Sequence, residues 1–397
     1  MGTAALRNII FILLILVINT TSPASSQDVR IGLFENKLVN TFVFHCTEGQ
    51  YILSSPEDSI RRIRRGELIY ISLVDNMLAI HDGNKSYGPF NSSLFSEISL
   101  DSEFRIRLVD PANESLSYQG NLEVKVQNSA MQLINQLPLD NYLAGVVETE
   151  GGPSAPKEYY KAQTIICRTF ALKHWNKHET QGFNLCDDTH CQSYKGINDD
   201  NKLIFEEVLA THNLVLIDTK NTLINASFHA NSGGETQRAS DIWVQGEDYL
   251  QSVIDNFSEG KRNSRWTKSI LLSDWRKYIL SKIAGDTSKM TNEALMIVQN
   301  HRRKYFIIGS DSLLIPDIRN DMGFRSSFFS MRIRNDSVII NGRGYGHGVG
   351  LSQEGAMEMA RQKYSYEDIL KFYYDMINIS SIKNLPESEI PEIFREN

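Results

Sequence analysis

The sequence predicts an α+β protein, and three observations carry that expectation. Short β-rich runs fill the chain from Val29 to about Pro138, helical periodicity takes over after Pro156, and strand and helix signals alternate irregularly toward the C-terminus. The architecture expected is a mixed β-sheet core with packed helices, preceded by an N-terminal β-rich module. With 397 residues, 41% hydrophobic and 22% charged, the chain is long enough to bury a full core and to hold two domains at about 150 residues each. The formal net charge of -7 argues against a nucleic-acid partner, because phosphate contacts need a basic face.

The first residues carry Arg7, an unbroken apolar run from Ile9 to Ile18, and then the small residues Ala24-Ser25-Ser26. That order is that of a secretory leader over residues 1–26 with cleavage just before Gln27, and the run is too short to span a bilayer. An exported protein without a stable membrane span follows, placed in the periplasm or the extracellular cell-wall space. Export matters for Cys46, Cys167, Cys186 and Cys191, since an oxidising compartment permits disulfides.

From residue 27 to 121 the runs Val29–Leu33, Leu68–Ile71 and Phe104–Leu108 alternate or are β-rich, and Asp82-Gly83-Asn84 and Asp110-Pro111 punctuate them. No cluster of catalytic residue types falls there, so the module reads as scaffold or substrate platform. A hairpin-like segment over Leu122–Leu137 leads to a helix starting near Ser154-Ala155-Pro156, where Ser154 is the expected cap and Pro156 suits the first turn. Ala162, Ile165, Ile166, Thr169 and Leu172 recur at helical spacing and should face a core, with Cys167 beside them as a buried thiol and Cys46 as another. Ser273 to Arg303 reads as helical. The domain assigned to residues 122–380 closes with two helices, from Ala356 and over Tyr366–Tyr374, and residues 381–397 read as a polar, loosely held tail.

Three motifs carry chemistry. The run from Gly342 to Gly350 lies between a strand and a helix, but its glycines alternate strictly and no Lys-Ser/Thr pair follows, which excludes the phosphate-binding loops and a nucleotide partner. An extended backbone of that kind can floor a cleft, with Tyr345 and His347 projecting to one side. Glu148 and Glu150 share a face if the segment is extended and diverge if it is helical. Paired or partly buried, such a carboxyl is kept protonated near neutrality and serves as a general acid. His178, Cys186, His190 and Cys191 offer two imidazoles and two thiols within a short loop, a ligand set for tetrahedral zinc; a Cys186–Cys191 disulfide and unlinked thiols are the alternatives.

The segments Tyr142–Glu150, Lys161-Ala162-Gln163, Arg168-Thr169, Cys186-Asp187, His190–Gly196, Ser232-Gly233-Gly234, Gly323–Ser326 and Gly342–Ala356 together resemble the stage II sporulation protein D / amidase enhancer family, over about Leu122 to Tyr374. Where that family usually has Met-Pro after its glutamate, this chain has Gly151-Gly152. The resemblance implies a mixed α and β fold with a glutamate in an open groove. It further implies a peptidoglycan lytic transglycosylase acting on glycan strands stripped of stem peptides, with Glu150 as general acid and base. Arg168, Ser232, Gly233, His347 and Gln353 are the candidates to line the groove and orient the sugar. Structural zinc on His178, Cys186, His190 and Cys191 is the one cofactor expected, and catalysis needs none. The expected partners are glycan strands and a cell-wall amidase, and a non-catalytic glycan-binding enhancer of that amidase is the alternative function.

Overall fold

Residues 28–395, apart from 100–101, 198–201, 244–245 and 284–290, are described by a computed structural model. The expected leader over residues 1–26 lies outside the described residues. Alternation becomes sheet where the pattern asks for it. Along Glu103–Asp110, Phe104, Ile106 and Leu108 are buried while Arg105 and Arg107 face out, and Leu68–Val74 buries Ile69 and Ile71 between exposed neighbours.

Two sheets result. The six-stranded one runs Leu116–Gln119, Glu103–Asp110, Thr41–Glu48, Leu68–Val74, Met77–His81, Ser86–Phe90, all antiparallel. The seven-stranded one runs Leu185–Cys186, Asp28–Leu33, Ala130–Pro138, Asn121–Gln127, Ser92–Glu97, Gln50–Ser54, Ser59–Arg64. Aromatic rings join them: Phe44 and Phe104 of the first sheet stack 5.0 Å apart, and Phe44 stacks on Phe95 of the second at 4.4 Å. The seven-stranded sheet crosses the boundary expected between residues 121 and 122. Its outermost strand, Leu185–Cys186, pairs in parallel with Asp28–Leu33, so the N-terminal module and the helical part share one sheet and one apolar core running from Val29 to Phe394.

Three helices follow the sheet: α1 (Leu139–Gly151), α2 (Lys157–Lys173) and α3 (Lys202–Ala210). Ala162, Ile165, Ile166, Thr169 and Leu172 of α2 are buried as their spacing requires, and Cys167 is buried among them. Ser154 does not cap α2. The helix begins at Lys157 with Pro156 in the capping position, and the preceding turn is held instead by the Tyr160 hydroxyl, which donates to Gly152 O at 2.7 Å and accepts from Ala155 N–H at 2.8 Å.

Residues 265–343 form a smaller unit with its own apolar core around Trp275, Ile279, Ile315 and Ile340. It holds a three-stranded sheet (Arg265–Leu271, Ser337–Arg343, Phe329–Arg334), a hairpin (Tyr305–Ile308, Asp311–Leu314), α4 (Leu272–Lys282) and α5 (Ile315–Met322). The helical run expected over Ser273–Arg303 is thus helical to Lys282, and beyond the undescribed residues it is a single tight turn at Glu293–Leu295 that accepts the Trp275 Nε1–H at 3.0 Å. Two last helices, α6 (Gln353–Arg361) and α7 (Tyr366–Tyr373), return to the main core. The tail is not loose: Ile390 and Phe394 are buried, Phe394 meets Trp175 edge-on at 5.2 Å, and Glu389 accepts from Leu223 N–H at 3.2 Å.

Candidate functional site

Glu150 sits in the last turn of α1. Because this segment is helical, Glu148 and Glu150 lie about 200° apart around the axis; Glu148 is buried in the protein and Glu150 reaches a cleft. Sharing of a face, the extended alternative, is thereby corrected. The helix stops one residue after Glu150, at Gly151, because Gly152 turns the chain with φ +72°, and a Cβ on Gly151 would come within 2.6 Å of the Tyr159 ring. Glu150 accepts from Ser193 N–H at 3.2 Å, and the Gln353 side-chain amide donates to Glu150 O at 3.2 Å and to Oε2 at 3.5 Å. Burial pushes the Glu150 carboxyl above its ordinary range, while the Ser193 and Gln353 hydrogen bonds pull the other way. Gln353, at the start of α6 and a candidate to line the groove, thus lies against this carboxyl.

The cleft holds about 600 Å3, and Glu150 is the only carboxylate among the described residues that line it. Phe170, Phe228 and Trp243 supply apolar surface; Tyr345 and His347 reach in together from the glycine-rich run. That run is not a plain strand, however. After Arg343 the four glycines 344, 346, 348 and 350 all have positive φ, and a Cβ on Gly350 would fall 2.0 Å from Ser227 O. Alternating left-handed glycines curl the backbone so that bridges form to Asn231 and Gln237 on one side and to Ser326 on another. His347 Nδ1 accepts from Val349 N–H at 3.0 Å, and burial pushes the ring down to about 4. His229, 5.6 Å away between ring centres, donates from Nδ1 to Val349 O at 3.1 Å; its Nε2 is buried with no partner among the described residues, and burial keeps the ring well below its usual range. Both rings are neutral at pH 7, and each tautomer is fixed by its backbone bond.

His178, Cys186, His190 and Cys191 come together, with one potential ligand atom from each lying within 4.8 Å of all the others. Cys191 Sγ is 3.4 Å from His178 Nε2, and Cys186 Sγ is 3.7 Å from His190 Nδ1. Tetrahedral zinc with bonds of about 2.3 Å to sulfur and 2.0 Å to nitrogen places such N and S atoms about 3.5 Å apart, so the donor set and its spacing fit that ion. All four cysteines of the chain are free thiols. The other nitrogen of His178 is held by Gln181 Oε1, the outer contact that orients a ligating imidazole. His190 and Cys191 also form part of the cleft wall, so this loop ties the cluster to Glu150.

Arg168, Ser232 and Gly233 do not line the cleft. Arg168 is fully buried: it pairs with Asp140 at 2.9 Å and donates to Thr211 O and Val208 O at the C-terminal end of α3. Ser232 is also wholly buried, its Oγ 2.7 Å from Asp255 Oδ2 and 2.6 Å from Ser258 Oγ. Gly233 has φ +71° and would drive a Cβ to 2.5 Å from the Arg343 carbonyl carbon. These three support the frame behind the cleft, because burial leaves them no face toward a sugar.

Residues 127–217, which hold Glu150 and all four His and Cys residues, match the family model described as Stage II sporulation protein. Stage II sporulation protein D of Bacillus subtilis (strain 168) is 29% identical over 311 residues, covering 74% of this chain and 89% of that protein. Stage II sporulation protein D of Bacillus amyloliquefaciens is 28% identical over 274 residues, 65% of this chain and 79% of the other. The chain is similar to the stage II sporulation protein D family. The amidase enhancer of Bacillus subtilis (strain 168) is 26% identical over 291 residues, which are 60% of this chain and 40% of that protein. In this stage II sporulation protein D-like chain, sequence reasoning missed His229, Trp243 and Arg319, all of which line the cleft. His229 stands four residues before the Gly233-Gly234 pair and was within reach of that signal; Trp243 and Arg319 sit in segments with no distinctive spacing.

Proposed function

We propose that the protein is a peptidoglycan lytic transglycosylase that cleaves MurNAc-GlcNAc bonds of peptide-stripped glycan strands. The observation that carries this reading is a cleft in which Glu150 is the single carboxylate among the described lining residues, and its burial favours the protonated form. A glycoside hydrolase ordinarily needs two carboxylates, one for the leaving oxygen and one for water or the sugar. A transglycosylase needs one. Glu150 gives its proton to the bridging oxygen as the C1–O bond breaks; the MurNAc O6 then bonds to C1, and its proton returns to the Glu150 carboxylate. The product is a 1,6-anhydro sugar, no water is consumed, and the glutamic acid is regenerated. Gln353 holds the carboxyl in place through both steps.

Zinc on His178, Cys186, His190 and Cys191 is part of the proposal. Four protein ligands leave no open coordination position, so the ion would fix the loop that carries the cleft wall and would not act on substrate. Export to the cell-wall space, following the leader expected over residues 1–26, puts the protein where this substrate is. The name of the amidase enhancer relative favours a second reading, in which the same cleft grips glycan for a partner amidase without cutting it. Mass spectrometry of amidase-stripped strands incubated with the protein and with Glu150→Gln separates the two. Anhydro-ended fragments that vanish in the variant support cleavage; strands bound intact by both proteins support the enhancer.

A further inference from the structure

Arg319 reaches the cleft from α5, in the unit with the smaller core, while Glu150 comes from the main body. Its Nη1 donates to Asn320 Oδ1 at 3.2 Å, but its Nε–H is buried and has no partner among the described residues. No ion pair among the described residues engages it either. The other cations near the cleft are already occupied: Lys177 donates to His190 O, and Arg302 is held by the carbonyls of Glu235 and Ser232 and by Gln237. Burial pushes the Arg319 guanidinium below its ordinary range, and its charge in turn helps hold His347 and Arg302 down. Leaving a buried N–H of a charged group unpaired is destabilising. The planar guanidinium fork is matched by a carboxylate, which takes two parallel hydrogen bonds from it.

We propose that Arg319 is a specificity residue that recognises a carboxylate on the ligand, namely the free lactyl carboxylate of muramic acid. This rests on the glycan reading above and adds to it a chemical reason for acting on bare strands. With a stem peptide attached, the lactyl group is a neutral amide with one acceptor oxygen; hydrolysis of that amide creates the anion that pairs with Arg319. The reaction that must supply this substrate is therefore an amide hydrolysis at the lactyl group. Apolar surface from Phe228 and Trp243 in the same cleft is suited to the faces of the sugar rings.

The test measures binding in a Glu150→Gln background, where strands are not consumed. Three probes are titrated: GlcNAc-MurNAc oligomers with free lactyl carboxylates, the same oligomers capped as methyl amides, and chitin oligomers, which lack the lactyl group. The background protein should prefer the free carboxylate by about tenfold over either control. Adding Arg319→Gln should bring the three affinities to parity, and adding Arg319→Lys should keep part of the preference. Each ratio is taken within one protein, so a general loss of affinity does not mimic the effect. If the Gln variant binds nothing, the Lys variant decides: preference retained supports the assignment and parity overturns it. A preference that survives Arg319→Gln, or a background protein that binds all three probes equally, overturns the role of Arg319 alone. A background protein that binds none of them overturns the glycan reading as well.

Discussion

Three cleft side chains have their protonation set by burial, which favours the neutral form of an acid and of two bases. Glu150 binds its proton more tightly folded than unfolded, so the folded state is favoured at low pH, and that advantage is lost as pH rises from the ordinary value of 4.5 through the raised one. Glu150→Gln should therefore raise the melting temperature at pH 7 to 8, with the gain disappearing below about pH 4.5, as differential scanning calorimetry at several pH values would record. Activity should fall with rising pH as Glu150 ionises. The cleft histidines should add no inflection near pH 6.5, because burial holds His347 down to about 4 and His229 lower than its usual range. His229→Asn keeps a donor for Val349 O but removes the unpaired Nε2 acceptor; glycan binding should weaken about fivefold to tenfold while the melting temperature holds. Glu150 was legible in the sequence through the motif around it. Arg168 and Ser232 were misjudged because a charge or hydroxyl inside a motif does not reveal which way it faces, and here both face inward to satisfy buried partners.

At the scale of elements, the site depends on two short connections. The turn after α1 is fastened by the Tyr160 hydroxyl, and Tyr160→Phe leaves two backbone groups without that partner. Stability should drop by about 1–2 kcal/mol, and cleavage should fall more than binding, since the turn positions Glu150; urea unfolding and the separate kcat and KM values would check this. The loop bearing His178, Cys186, His190 and Cys191 is the other connection. Removing metal with a chelator, or making Cys191→Ser, should lower the melting temperature and abolish zinc content by elemental analysis, whereas a metal-free cluster would respond to neither. The helices α2, α6 and α7 could be read from apolar spacing. The helical state of Tyr142–Glu150 could not, because α1 is buried almost all round and shows no polar face to give it a period.

The molecule as a whole is a large body and a small one meeting at the cleft, each with its own apolar core. Trp275 is fully buried in the smaller core, and Trp275→Ala should cost that unit about 3–5 kcal/mol. Hydrogen exchange should then quicken over residues 265–343 while α1 and α2 keep their protection, and discrimination between probes should suffer because Arg319 belongs to that unit. Composition and pattern foretold the α+β class, but this division was hidden, since the strands of residues 265–343 return late to frame a core that no local run of sequence announces. Another long-range join ties the N-terminal strand to the helical part. Strand Asp28–Leu33 lies beside Leu185–Cys186, Asp187 N–H donates to Gly32 O, and Phe34 N–H donates to an Asp187 carboxylate oxygen 153 positions away. A fragment cut to the family-matched residues 127–217 would leave this edge bare. Residues 30–34 and 184–187 are consequently bound by one constraint, so that across descendants of this gene a change in either stretch should be answered by a change in the other.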